Sequence, residues 1–488
     1  MSSHAIVIGD DIDECVAAQY LARNGLSVRL LHDRQAQQPR FLQTGWIAPQ
    51  IVRDLELSAH GLSIDQRDPW LQIELPGGGR LELTRDIARS AEEIGKVNRH
   101  DGARWAAFCE RMHALATLLQ AMYAAPPPEP LASTFAGRFD LARLALRVRG
   151  LGRQGMTDLF RVLPMSIVDL LDEWFESDAL KGALGTMGVM HLCQGPRSGG
   201  TALNFLHHHA GCPPGVFRQP LSNVHGVLRA LPGPSMLEGR ALRVIVEGGT
   251  VEGVQLATGE EIHASVVLSG AHPQHALLDV VDAAWLDPEL VRAVRRIRSR
   301  GVTAEVTLAL DRDPGFTTLT IAPSLDYMEH AYDDAKYGRM SREPFIEARY
   351  AGTAEGGEHP VHVHVQYAPY AVQDGTWDAE RAQALGRTVL DAIAAAAPGI
   401  VSSLVDHTVR TPQALEREFG YPEGQPYHAE LALDQFLWMR PVPDLARYRT
   451  PIRGYYLCGP AMHPGAGVPG AAGMHAAHTV LRDLRTRK

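Results

Sequence analysis

The chain has 488 residues, 45% of them hydrophobic and 21% charged, with a formal net charge of −9. These values fit a globular chain of two or three domains and leave no basic field to attract nucleic acid. No apolar run reaches about 18 residues, and no basic region with an apolar signal core opens the chain, so no membrane span and a cytoplasmic address are expected.

The first predicted element is a strand over Ala5 to Ile8, followed by a helical pattern through Val16, Ala17, Tyr20 and Leu21 that Asn24-Gly25 stops. A second strand, Ser27 to Leu31, completes a βαβ unit. The turn between strand and helix scans as G-x-G-x-x-G with only its first glycine, Gly9; the other two positions hold Asp11 and Glu14. In such a turn the second glycine lets the backbone approach a pyrophosphate, which the helix N-terminus then binds. Here Asp10, Asp11, Asp13 and Glu14 would satisfy those N–H groups themselves and repel a pyrophosphate. Each like-charge contact near 4 Å costs roughly 1 to 4 kcal/mol. The ribose-binding acid expected after the second strand aligns with His32, with Asp33 one position beyond. The fingerprint alone favours a βαβ unit kept for packing after losing its ligand.

Further along, Pro76 to Gly79 marks a turn between strands at Leu71 to Leu75 and Leu81 to Leu83. Ser90 to Leu192 reads as mostly helical, interrupted by Pro126-Pro127-Pro128. Arg243 to Leu256 reads as a hairpin, Ile262 to Ser269 as one buried strand, and Arg292 to Arg300 as a solvated helix face. Strands at Thr303 to Leu310 and Val361 to Gln366 and an amphipathic helix at Ala379 to Ala396 follow. His207-His208-His209 reads as structural or pocket-lining, because adjacent helical residues point in different directions. His362 and His364 share one face of a strand, lining a pocket or facing solvent. Tyr367, Tyr370 and Trp438 read as packing residues. Five widely spaced cysteines without a C-x-x-C pair give neither a disulfide framework nor a zinc site, and no metal is expected.

At the C-terminus a buried strand runs into a glycine-rich loop, Gly459 to Gly473, which opens a final helix from Ala472 to Leu484 with its free N–H groups facing a would-be anion. This loop, with Arg67-Asp68-Pro69, Ser198-Gly199-Gly200-Thr201-Ala202, Gln366-Tyr367-Ala368-Pro369-Tyr370, Leu415 to Gly420, His428 to Gln435 and Met439 to Pro443, resembles the phytoene-desaturase-like flavoproteins. The resemblance is to their pyridine nucleotide-disulphide oxidoreductase-like branch, within the amine-oxidase superfamily, and runs from end to end.

The resemblance implies an α/β fold with a discontinuous Rossmann-like FAD-binding domain, residues 1–75, 200–290 and 415–488, and a mixed α+β substrate or cap domain, residues 76–199 and 291–414. It implies cofactor contacts at Gly9, Asp11, Glu14, Asp33, Gly459, Gly465, Gly467, Val468 and Gly470, and makes His428 and His463 the catalytic candidates. Two departures lie on the adenine and pyrophosphate half: the acidic fingerprint, and Phe217-Arg218-Gln219-Pro220-Leu221, which lacks the Arg-Gly-Gly run of relatives. The expected function is a subunit of a flavin-dependent oxidoreductase whose own FAD is weakly held or absent. It would act on an apolar or amine-bearing small molecule with a flavin-bearing homologous chain, as an oligomer. A self-sufficient FAD enzyme and a flavin-independent binding or isomerising protein are the alternatives.

Overall fold

A computed structural model describes residues 4–33, 43–75, 78–129, 135–350, 352–354 and 356–486. A five-stranded parallel sheet forms the first body, in the order Tyr455–Leu457, Val266–Ser269, His4–Ile8, Ser27–His32, Ser235–Glu238. Its central strands are near-continuous apolar runs because helices cover both faces. Ile6, Val7, Val267 and Leu268 are at most 1% exposed. The first helix, Ile12–Arg23, and the last, Ala471–Thr486, pack together on this sheet. Gly9, Gly270 and Gly459 follow three neighbouring strands at their carboxyl ends, so the glycine turns from the two ends of the chain share one sheet edge. That edge is where open α/β sheets place ligands.

A seven-stranded sheet forms the cap, in the order Leu404–Arg410, Thr303–Leu310, His359–Gln366, Phe345–Tyr350, Thr318–Ile321, Leu71–Glu74, Arg80–Leu83. All its pairings are antiparallel except Thr318–Ile321 with Leu71–Glu74. Ala304, Val306, Val363 and Val365 point to one face and pack on the helix Ala379–Ala396 through Val389 and Ile393. Glu305, His362, His364, Glu347 and Arg349 alternate with them and point to the other. A helical layer from Ile87–Val97 to Asp178–Val189, joined by Thr201–His209, packs around Trp105, Phe108, Phe175 and Phe217.

Several expectations need correction. The boundary at 75 divides a hairpin whose two strands both belong to the cap sheet, and the boundary at 199 detaches Thr201–His209 from the helical layer in which Leu203 and Phe205 are buried. Pro76 and Gly77 lie outside the described residues. Ile262 to Ser269 is two strands, Glu261–His263 in an antiparallel three-stranded sheet and Val266–Ser269 in the parallel one, because the chain changes sheets at Ala264 and Ser265. Arg292 to Arg300 is not one solvated face: the helix Pro288–Arg295 ends first, and Arg298 and Arg300 turn inward to the fully buried carboxylate of Glu430.

Candidate functional site

At the first turn Asp11 is the N-cap of the first helix, its carboxylate accepting the Ile12 N–H at 2.8 Å. Glu14 is buried with its side chain folded back over two glycines. A Cβ on Gly9 would meet Glu14 Cγ at 3.0 Å, and one on Gly270 would sit 1.4 Å from Oε1. The carboxylate of Glu14 thus fills the crevice between the ends of two parallel strands. Burial, then Asp11 and Asp13, holds it well above the usual carboxylate range. Arg229 is committed to Asp10 at 3.2 Å. Asp33 stands beyond the second strand, at the same sheet edge, and residues 34–42 after it are outside the described set.

The N-terminus of the last helix does not face an open anion site. Asp13 Oδ1 accepts the Gly473 N–H at 3.1 Å. Burial pushes the Asp13 carboxyl up to about 7, against the backbone N–H of Gly473. The glycines of the C-terminal loop are there because neighbours press on it. A Cβ would lie 3.1 Å from the Arg440 guanidinium at Gly465, 2.9 Å from His207 Nε2 at Gly467 and 2.9 Å from Val16 at Gly470. All three also have positive φ, which glycine adopts without strain. Val468 is buried in the helical layer, and a Cβ on Gly459 would strike the Gly270 carbonyl at 1.9 Å.

Arg440 is wholly buried and pairs with no carboxylate among the described residues. Its guanidinium donates to the carbonyls of Ala429, Glu430, Pro460 and Met462, tying the loop to the segment before it. Burial lowers it to about 10.

The three adjacent histidines part as helix geometry requires. His207 Nε2 donates to the Ala466 carbonyl at 2.6 Å and its Nδ1 accepts from Tyr123 Oη at 2.8 Å. His208 accepts from Tyr427 Oη at 2.8 Å, and His209 donates to the Val216 carbonyl at 2.9 Å. Burial lowers His207 and His209 to about 3 and His208 to about 4, so all three are neutral.

A cavity of about 230 Å³ runs from Asp11–Glu14 past Ala466, Gly467 and Pro469 to the polar face of the cap sheet. Strand register builds its roof: Glu305, His364 and Glu347 form one cross-strand row, and His362 and Arg349 lie in the next. His362 and His364 therefore line a pocket. Burial alone would raise Glu347, but Arg349 and Arg218, the latter at 3.0 Å, hold it at about 2. Arg218 also donates to the Ala183 carbonyl and Thr186 Oγ1. A second cavity of about 440 Å³, walled by Trp46, Trp70, Arg67 and Arg85, shares Gln219 and Arg349 with the first.

Neither His428 nor His463 lines either cavity. His463 is turned into the core behind the loop, its ring 5.9 Å from Tyr123 and its carbonyl accepting from Tyr448 Oη, and burial lowers it to about 3. His428 adopts φ +58° and packs between Tyr421 and His272; burial lowers it to about 4. Glu305, Glu347 and Tyr427 were not expected at the site, and Arg218 was expected only as part of the departing segment Phe217 to Leu221. The signal for Glu305 was present: it interrupts an apolar strand at a position whose neighbours i±2, Thr303 and Thr307, are also polar, whereas Glu347 has Phe345 on one side and carries no such signal.

No protein-family model matches the chain. The pyridine nucleotide-disulfide oxidoreductase domain-containing protein 2 of Rattus norvegicus is 32% identical over 544 residues, covering 99% of this chain and 94% of the relative. A phytoene desaturase (neurosporene-forming) of Cereibacter sphaeroides is 26% identical over 245 residues, 47% of this chain and 45% of that one. A solved putrescine oxidase bound to putrescine superposes with a TM-score of 0.58 at 13% identity over 99% of both chains, a likeness of fold. Among the described residues no helix is long and apolar enough to cross a membrane. With nearly its whole length aligned at 32% identity, the chain belongs to the family of the pyridine nucleotide-disulfide oxidoreductase domain-containing protein 2, an oxidoreductase family on the phytoene-desaturase and amine-oxidase fold.

Proposed function

We propose that the chain is an oxidoreductase subunit whose own FAD site is impaired and which acts with a flavin-bearing chain of the same fold on an apolar or amine-bearing small molecule. One observation carries this reading: the buried side chain of Glu14 occupies the crevice over Gly9 and Gly270. In a dinucleotide-binding turn that crevice belongs to the pyrophosphate, and the following N–H groups bind it. Here the Ile12 N–H already donates to Asp11 and the Gly473 N–H to Asp13. A doubly charged pyrophosphate would be forced against Asp11, Asp13 and Glu14, and these residues do not fit it. The other end of the crevice keeps a cavity beneath the glycine loop and the cap sheet. A body that keeps this pocket and its sheets retains the faces by which related chains pair.

The test is an absorbance spectrum of protein purified without added FAD, with light scattering on the same sample. The expected result is no flavin band, an assembly larger than a monomer, and turnover only when a flavin-bearing relative is added. Stoichiometric flavin in a monomer that turns over substrate unaided would refute the reading in favour of a self-sufficient FAD enzyme. Absence of turnover even with the relative would favour a flavin-independent binding protein.

A further inference from the structure

Three buried acceptor atoms lining the cavity under the cap sheet have no hydrogen-bond partner among the described residues: Glu14 Oε2, Glu305 Oε2 and Gln219 Oε1. Their residues are 3%, 7% and 5% exposed. A buried acceptor left unpaired costs about 1–3 kcal/mol, and more if charged. Three of them around one cavity require a ligand that brings donors.

The two carboxylates come from different bodies, Glu14 from the first helix and Glu305 from the cap strand Thr303–Leu310. Both act on the buried phenol of Tyr421, which also lines the cavity. Among the described residues, Arg229 pairs with Asp10, Arg218 and Arg349 pair with Glu347, and Arg410, the cross-strand neighbour of Glu305, makes its ion pair with Glu418. Ile12, Met187, Met190 and Pro426 give the cavity an apolar part of its lining. An anion would meet two carboxylates, and a neutral alcohol would supply one donor for three acceptors. An ammonium group supplies three donors and the missing charge.

We propose that this cavity binds an alkylammonium ion, its N–H donors shared by Glu14 and Glu305 and its chain lying against Met187 and Met190. The proposal rests on the reading that no dinucleotide pyrophosphate occupies the turn. A diammonium ion on a short alkyl chain satisfies both acids and is the strongest probe.

The experiment is titration calorimetry of the purified full chain with diaminobutane, and with butanol and butyrate for comparison. Saturable binding of the diamine alone is expected, weakened about tenfold or more in each of Glu14→Gln and Glu305→Gln. Glu289→Gln, an exposed acid on the helix Pro288–Arg295, is expected to bind like the parent chain. Both cavity substitutions keep side-chain volume and remove a buried acid, and a cooperative thermal transition confirms that each variant is folded. Absence of saturable binding, or an equal loss in Glu289→Gln, overturns the proposal, as does undiminished binding by the two folded cavity variants. The spectrum of the same sample separates the two readings: a flavin band refutes the cofactor reading, whereas a colourless protein that binds no amine refutes this inference alone.

Discussion

Asp13 and Gly473 stand 460 positions apart and are joined by a 3.1 Å hydrogen bond from the glycine N–H to the carboxylate. The contact closes the fold across the sheet edge, since a Cβ at Gly473 would lie 1.8 Å from the Asp13 carbonyl oxygen. It also supplies the positive end of the last helix with an acceptor from within the chain.

Asp13 makes the stability of the protein depend on pH in an unusual direction. Its folded-state value, about 7, lies above the unfolded 3.8, so the folded protein binds the proton more tightly. The stabilisation is fully present below the unfolded value and is lost as pH rises through about 7. Each unit is worth about 1.4 kcal/mol, so the total is roughly 4 kcal/mol. Asn at this position keeps an acceptor for Gly473 and cannot ionise. Urea denaturation should therefore show Asp13→Asn gaining on the parent chain between about pH 4 and 7 and holding a constant advantage above. A difference independent of pH would mean that Asp13 is ionised in the folded protein.

The buried histidines act with the opposite sign. His207, His209 and His463 are lowered to about 3 and His208 to about 4, first by burial, against 6.5 in the unfolded chain. Their stabilisation is present above 6.5 and is lost as pH falls toward these values. The urea midpoint should drop between about pH 6 and 4 despite Asp13, and His209→Gln, which keeps a donor for the Val216 carbonyl, should make that drop shallower. An unchanged slope in the variant would show that His209 does not titrate on unfolding.

What the sequence made legible was local. The βαβ unit from His4 to His32 and the helix Ala379–Ala396 follow from periodicity and stop signals within a few residues. What stayed hidden was made by distant partners. The N–H groups of the last helix looked free because their acceptor lies at the other end of the chain. Arg218 and Glu347 are 129 positions apart, and each alone reads as an ordinary surface charge. His463 sits in the conspicuous loop, but the packing of Tyr123 and Tyr448 around it places it in the core.

The Arg218–Glu347 pair tests whether the cap roof is held by charge. Their side chains are 5% and 2% exposed. Glu347→Ala leaves the guanidinium buried beside Arg349 without its carboxylate and should cost about 3–5 kcal/mol. Joint replacement, Arg218→Met with Glu347→Leu, removes both desolvation penalties and should cost less than the single change. Chemical denaturation of both variants provides the check, and a single variant losing less than about 1 kcal/mol would show that water or backbone groups already compensate Arg218.

The last prediction asks whether the acids of the first turn cause the loss of cofactor affinity or merely accompany it. Replacing Asp11 and Glu14 together by glycine removes two acidic side chains and empties the space over Gly9 and Gly270 that Glu14 fills. Asp13 is left in place, so the last helix keeps its cap. The cost is a lost N-cap at Asp11, about 1 kcal/mol or less with glycine as the substitute. Removing like-charge contacts worth roughly 1 to 4 kcal/mol each should tighten FAD binding by at least about tenfold. Flavin fluorescence titration of the parent and the double variant gives the comparison. A tenfold gain with an unchanged unfolding transition would assign the loss to the turn. No gain in a folded double variant would place the obstacle elsewhere, and Arg218 to Leu221 is the next segment to change, because Gln219 lines both cavities.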